Sequence, residues 1–170
     1  MPMQTITPFL WFDDQAEEAA NFYVSVFSSR PGADTGRGPS KVVDVSRYGE
    51  AGPGSPGSVM TVSFLLDGQE FIALNGGQQP FSFNESISFV VNCHTQDEVD
   101  ELWAVFTKDG EEGPCGWLKD RYGLSWQIVP TRLNELLADP DPERAQRAMK
   151  AMLEMKKIDI AGLERAAENA

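Results

Sequence analysis

The polar side chains best placed to do chemistry lie in residues 115–130, where two short apolar strands flank an Asp-Arg-Tyr-Gly turn. Alternation along the second strand puts Ser125 and Gln127 on one face and Trp126 and Ile128 on the other. The Gln127 side chain is therefore predicted to point away from the apolar packing face. Its amide could orient a bound ligand or could only hydrogen-bond neighbouring strands, and both interpretations stay open.

Two further side chains have chemistry of their own, Cys115 and His94. A nucleophilic Cys115 needs a group that lowers its pKa, and Lys119 is the nearest basic residue, so a packed thiol beside a pocket is favoured. His94 is the single His of the chain and directly precedes Thr95, a predicted helix cap. A solvated turn residue is favoured there, because one imidazole cannot form the usual cluster that binds a metal.

The composition is that of an ordinary globular domain, with 170 residues and 41% hydrophobic content. The net charge of -12 and the lack of any basic run argue against nucleic acid and anionic membrane surfaces as partners. The first residues lack the features of a signal peptide, and no apolar run reaches the roughly 20 residues of a membrane-spanning helix. We therefore expect a cytoplasmic protein, with Cys93 and Cys115 as free thiols.

The elements that position these residues occur twice. Residues 5–12 predict a strand, and a helix follows directly with Asp14 as its cap. Residues 86–91 predict a second strand, and Thr95 caps a second helix, 81 positions after Asp14. The two units match in phase, which indicates an internal duplication.

Three strand candidates follow the first helix, at residues 41–48, 59–66 and 69–75. The Gly/Pro-rich segment between the first two, residues 49–58, predicts a mobile hairpin tip that does not pack. Asp-Gly at residues 67–68 predicts a tight hairpin turn.

The resulting fold class is α+β, with two βαβββ modules that form a cupped mixed sheet. The duplicated domain spans residues 1–130, with halves at about 1–80 and 81–130, and a helical tail follows at 131–170. The Leu and Met stripes of the tail are expected to pack in a core or between subunits.

The duplicated pattern, with ITPFLWF leading into EEAANFY and CGWLKDRYGLSWQIVP closing the second half, resembles the vicinal oxygen chelate superfamily. That superfamily includes glyoxalases, extradiol dioxygenases and bleomycin-resistance proteins. The chain is most similar to its PhnB-like branch, whose members are often labelled 3-demethylubiquinone-9 3-methyltransferase. Further segments that carry the resemblance are FIALNGG, FNESISFVVN, QDEVDELW and KAMLEMKKIDI. It implies a homodimer.

In the metal-dependent relatives, four side chains on the cupped face bind a divalent cation, typically a mixture of His and Glu. The resemblance carries these positions onto Thr7, Phe71 or Ala73, Ser86 and Gln127. None of them is a His or a carboxylate, whereas a first-row divalent metal needs imidazole, thiolate or carboxylate donors. The resemblance therefore predicts that the metal site is lost and that no cofactor is bound.

The resemblance also implies a cup that binds a small aromatic or amphipathic molecule. Its predicted lining is Thr7, Phe9, Trp11, Asn75, Ser86, Ser88, Cys115, Trp117, Ser125 and Gln127. The alternative is a metal-dependent glyoxalase- or dioxygenase-like enzyme that uses Glu70, Glu85 or Asp120 as unusual ligands. A methyltransferase, as the family label states, is disfavoured because the common S-adenosylmethionine enzymes need a glycine-rich loop between a strand and a helix.

Overall fold

The computed structural model describes residues 4–31 and 36–169, which divide into two compact units, Met1–Phe81 and Ser82–Ala170. Each unit contains one βαβββ module with a four-stranded mixed sheet. The α+β prediction of two such modules is confirmed. The helices that follow the second module belong to the second unit.

In its described residues, the first unit contains one helix and four strands. The elements are β1 (Phe9–Phe12), α1 (Ala16–Ser29), β2 (Lys41–Arg47), β3 (Val59–Leu66) and β4 (Gln69–Asn75). The strand order is β1-β4-β3-β2, with β1 parallel to β4 and the other pairs antiparallel. The predicted strands 59–66 and 69–75 agree with the structure at both ends.

The core of this unit lies between α1 and one face of the sheet. Apolar residues recur three and four positions apart along α1, so one stripe of the helix is buried, including Tyr23 and Phe27. Tyr23 stacks on Phe64 of β3, with ring centroids 6.2 Å apart, and Phe64 stacks on Phe71 of β4. We call the opposite surface of each sheet its open face.

Two boundaries in this unit differ from the sequence prediction. Strand β1 begins at Phe9 rather than at residue 5, because the Gln4 side chain, not a strand backbone, bonds the N–H and carbonyl of Glu70. Helix α1 starts after Gln15 rather than Asp14, and Asn75 supplies its cap by accepting from the Ala16 N–H at 2.8 Å.

The loop between β2 and β3 packs, contrary to expectation. Tyr48 is buried, and a Cβ built on Gly52 or Gly54 would lie within 2.6 Å of its ring. The glycines therefore allow the loop backbone to lie against the Tyr48 ring. The Asp67–Gly68 hairpin turn is confirmed, with φ values of 49° and 81°.

The second unit repeats the module and adds three helices. Its elements are β5 (Ser88–Cys93), α2 (Gln96–Thr107), β6 (Glu111–Glu112), β7 (Trp117–Lys119), β8 (Ser125–Pro130), α3 (Thr131–Leu137), α4 (Pro142–Leu153) and α5 (Ile160–Glu168). The strand order is β5-β8-β7-β6, with β5 parallel to β8. Thr95 caps α2 as predicted, since its side chain accepts from the Glu98 N–H at 3.2 Å.

The core of the second module is built around Trp126. Its ring stacks on Phe106 of α2 at 4.8 Å, and its indole N–H donates to the buried Asp120 carboxylate at 2.9 Å. The same carboxylate accepts from the backbone N–H groups of Tyr122 and Leu124, which closes the predicted turn. Gly123 in that turn has a φ of 83°.

The helical tail packs in an apolar core together with the end of β8, as its Leu and Met stripes predict. The buried cluster contains Val129 from β8 and these tail residues: Leu133, Leu136, Ala148, Ile158, Leu163 and Ala167. The Gln96 side chain ties the tail to α2 by donating to the Ile158 carbonyl and accepting from the Ile160 N–H. None of the helices in the described part of the chain has the length and apolarity to span a bilayer.

Candidate functional site

Where β1 pairs with β4, the open face of the first sheet is apolar. Phe9 and Trp11 of β1 point to this face, with 55% and 38% of their surfaces exposed, while Leu10 and Phe12 are buried on the helix side. Phe9 and Trp11 lie opposite Ile72 and Leu74 of β4, which are half-buried. The predicted alternation of Phe9 and Trp11 is therefore confirmed.

Trp11 is held in one position although its ring is exposed. Its indole N–H donates to the Gly77 carbonyl at 2.9 Å, and Phe81 meets the ring edge-on at 5.4 Å. A Cβ on Gly76 would lie 2.2 Å from the indole, so only glycine leaves room for the ring. This arrangement presents a rigid aromatic surface.

The other two predicted site residues of this unit have different surroundings. Thr7 is half-buried and precedes β1. Asn75 has its polar atoms engaged: its amide oxygen caps α1, its NH₂ group donates to the Val59 carbonyl, and its carbonyl accepts from the Tyr48 hydroxyl at 2.5 Å. The structure thus gives Asn75 a structural role that the sequence pattern did not indicate.

Where β5 pairs with β8, the open face of the second sheet carries polar side chains beside the exposed Val90. Gln127 points away from the Trp126 core, and its amide donates to the Ser88 hydroxyl of β5 at 2.9 Å. Trp117 of β7 is the strand neighbour of Gln127, and Ser88 is the neighbour of Ser125. Ser88, Trp117, Ser125 and Gln127 therefore share one face, as their alternation predicts.

A cavity of about 380 Å³ lies beside this face, and we call it the Ser125 cavity. Its lining consists of Glu85, Glu111, Glu112, Gly113, Pro114, Trp117, Leu118, Lys119 and Ser125. The Ser125 side chain is 1% exposed, and its hydroxyl has no hydrogen-bond partner among the described residues. A volume of this size fits a small ligand.

Two residues of the cavity lining, Lys119 and Glu85, form an ion pair. The Lys119 ammonium lies 2.7 Å from the Glu85 carboxylate, with 33% and 60% of the two side chains exposed. The hydrogen bond from Lys119 lowers the pKa of Glu85, and the bond to Glu85 raises the pKa of Lys119. Both groups are therefore charged at neutral pH.

Sequence reasoning missed the place of this pair in the site. It treated Lys119 only as a neighbour of Cys115 and Glu85 only as an unusual metal ligand. The available signal was the alternation of the Trp-Leu-Lys strand, which puts Lys119 on the same face as Trp117.

Ser86 and Cys115 lie outside the Ser125 cavity lining. Ser86 is an exposed turn residue before β5, and its N–H bonds the Asn84 side chain. Cys115 is half-buried with a φ of 56°, and its N–H donates to the Met155 carbonyl of the tail at 2.8 Å. His94 is an exposed residue between β5 and α2, as expected.

The family model for 3-demethylubiquinone-9 3-methyltransferase matches residues 4–129. The chain belongs to this family, the PhnB-like branch of the vicinal oxygen chelate superfamily. The PhnB protein of Bacillus cereus is 37% identical and has a TM-score of 0.62, with 75% of this chain and 99% of that chain covered. A protein of Pseudomonas aeruginosa shares the fold at 16% identity and a TM-score of 0.58, covering 75% and 98%. No curated protein matches the chain in sequence.

The residues at the metal positions of the superfamily do not fit a divalent metal. Phe71 and Ala73 are buried on the helix side of their sheet, so the open-face position on β4 belongs to Ile72 instead. In the second module, Gln127 offers an amide and Ser88 a hydroxyl, and neither is a strong ligand for such ions.

The carboxylates proposed as unusual ligands are dispersed. Glu85 is paired with Lys119, and Asp120 is buried within its turn. Among the described residues, no three His, Cys, Asp or Glu side chains are grouped so that they could hold a metal ion. The donor set of this PhnB-like chain thus differs from that of the metal-dependent relatives.

Proposed function

We propose that this PhnB-like protein binds a small aromatic or amphipathic molecule without a metal, as a homodimer in the cytoplasm. The observation that carries the proposal is the group of polar side chains on the open face of the second sheet. There, the Gln127–Ser88 hydrogen bond and the Trp117 ring lie next to the Ser125 cavity. An aromatic side chain beside a few fixed polar groups is the usual composition of a small-molecule site.

The alternative functions receive less support. Among the described elements, none of the three strand-to-helix connections is glycine-rich: residues 13–15 are Asp-Asp-Gln, residues 94–95 are His-Thr, and α3 follows β8 directly. The methyltransferase name of the family therefore lacks the loop that commonly holds S-adenosylmethionine. A metal-dependent lyase or dioxygenase needs stronger donors than the hydroxyl and amide present.

The first test is a thermal-shift screen of aromatic compounds, with the site of each hit mapped by backbone amide chemical shifts. Elemental mass spectrometry on the untagged protein accompanies it. We expect hits that shift the amides of residues 117, 125 and 127, and no tightly bound metal. A stoichiometric metal would overturn the metal-free proposal, and hits that map only elsewhere would overturn the location.

Variants of the open face then test the contacts. Trp117→Ala is expected to weaken binding of a hit about tenfold or more through lost stacking, and Trp117→Phe to restore most of it. Gln127→Leu should weaken binding by a smaller factor. Asn92→Leu is the matched control, since Asn92 is exposed on the same face beside Val129. Equal affinities in all four variants would contradict the proposed site.

A further inference from the structure

The Ser125 hydroxyl is the most unusual polar group of the second unit. It is buried, lines the Ser125 cavity and has no hydrogen-bond partner among the described residues. A buried hydroxyl without a partner is destabilising, and proteins normally satisfy such groups. An unsatisfied hydroxyl on a cavity wall therefore points to a partner that comes from a ligand.

Lys119 is the strand neighbour of this serine and lines the same cavity. Lys119 lies directly opposite Ser125 in the pairing of β7 with β8, and its ammonium is held by Glu85. The pair is partly exposed, and exposed ion pairs contribute little to stability. Breaking the Lys119–Glu85 pair therefore costs little free energy, and a cationic group of a ligand can replace the Lys119 ammonium at Glu85.

The charge of the cavity favours a cation. Three carboxylates line it, from Glu85, Glu111 and Glu112, against the single ammonium of Lys119. Glu112 is also bonded by the Trp103 indole N–H and lies 3.7 Å from the Lys156 ammonium. Glu85 and Glu111 still outnumber Lys119, so an anionic ligand meets a net negative surface.

The apolar part of the lining fits a flat organic group. Trp117 presents an aromatic ring, and Leu118 and Pro114 complete the apolar lining. A protonated amine on a planar apolar group matches both the acidic and the apolar parts of the lining, because cations are attracted to an indole face as well as to carboxylates.

We propose that the Ser125 cavity binds an organic cation, a protonated amine on a flat apolar body. The amine takes the place of Lys119 at Glu85, the body lies against Trp117, and the Ser125 hydroxyl accepts a hydrogen bond from the ligand. This assignment rests on the proposed binding function and adds the charge of the ligand to it.

The test uses three probes that share a phenyl body and differ in charge: phenethylamine, 2-phenylethanol and 3-phenylpropionate. Each is titrated at neutral pH while the amide shifts of residues 117–119 and 125 are followed. We expect phenethylamine to bind about tenfold more tightly than 3-phenylpropionate, with 2-phenylethanol between them. Added salt should narrow the difference.

Two variants identify the groups. Glu85→Gln should weaken the binding of phenethylamine several-fold and leave the binding of 2-phenylethanol unchanged. Glu101→Gln, on the exposed side of α2, should change neither affinity. Ser125→Ala should weaken the binding of phenethylamine. It should also raise the Tm of the free protein, since it removes a buried unsatisfied hydroxyl. A lower Tm would show that Ser125 is structurally satisfied and would overturn its assigned role.

The outcomes separate this proposal from the proposed function. Equal affinities for the three probes, or a preference for 3-phenylpropionate, overturn the cation assignment and leave small-molecule binding intact. Failure of all three probes to bind, with screening hits on the same face, also overturns it. Failure of both the probes and the screen overturns the two proposals together.

Discussion

The two modules share one topology but present different open faces. In the first, Phe9, Trp11 and Ile72 make the part of the face where β1 pairs with β4 apolar, whereas Ser88 and Gln127 form a polar, hydrogen-bonded pair on the corresponding part of the second, where β5 pairs with β8. The helix-facing positions are buried and apolar in both. The comparison indicates that the buried face determines the fold, while the open face is free to acquire a function.

The connections from strand to helix differ as well. From Phe12 to Cys93 the strand ends are 81 positions apart, but the helix caps Gln15 and Thr95 are 80 apart. The first connection is thus one residue longer. It lacks a local side-chain cap, and Asn75 of the neighbouring strand replaces it.

The largest expected effect comes from truncating the matched core aromatics. Phe71 and Trp126 occupy equivalent helix-facing positions on β4 and β8. Each change to Ala should cost about 3–5 kcal/mol of unfolding free energy. Trp126→Ala should cost more, because it also removes the bond to Asp120. Urea denaturation followed by circular dichroism measures both, and a larger loss from Phe71→Ala would reverse the ranking of the two cores.

A Gly76→Ala change should disturb the apolar face alone. The new Cβ would lie 2.2 Å from the Trp11 ring, so the indole must move, at about 1–3 kcal/mol. Tryptophan emission and the amide shifts of β1 report the displacement. Gly49→Ala is the control, since nothing lies within 4 Å of its Cβ and it should change stability by less than about 0.5 kcal/mol. If Trp11 does not move, its ring does not fill the space beside Gly76 as described.

The next comparison concerns the helix caps. Asn75→Ala should cost about 2 kcal/mol, because it removes a cap and the bond to the Val59 carbonyl. Thr95→Ala removes only the cap of α2 and should cost about 1 kcal/mol. Thermal and urea unfolding of the two variants provide the measurement. A greater loss for Thr95→Ala would mean that the longer connection does not depend on Asn75.

The sequence could predict the fold because its signals are local and periodic. The alternation of Trp126 and Gln127 and the cap at Thr95 were read from neighbouring residues, and the structure confirms them. The cap from Asn75 was missed because donor and acceptor are 59 positions apart. Likewise, the Glu85–Lys119 pair joins a loop to a strand 34 positions away, so local alternation could predict the face of Lys119 but not its partner.

Acidification should give the smallest effect and should act on the tail, which only the second unit has. The Lys157 ammonium and the Gln96 amide hold the pKa of Asp100 below its ordinary value of 3.8. A lowered pKa in the folded protein means that this stabilisation is present above about pH 3.8 and is lost as the pH falls through the folded value. Because the pair is partly exposed, the effect should stay below about 1 kcal/mol.

The measurement is hydrogen exchange at residues 158–163, which the Gln96 side chain attaches to α2. Asp100→Asn should raise exchange there at pH 7, because it removes the carboxylate that binds Lys157, and should make the segment less sensitive to acid. Glu101→Gln on the exposed side of the same helix is the matched control and should leave the exchange unchanged. If Asp100→Asn behaves like the control, the Gln96 hydrogen bonds and the apolar cluster alone hold the tail. The Asp100–Lys157 pair would then contribute no acid sensitivity to the second unit.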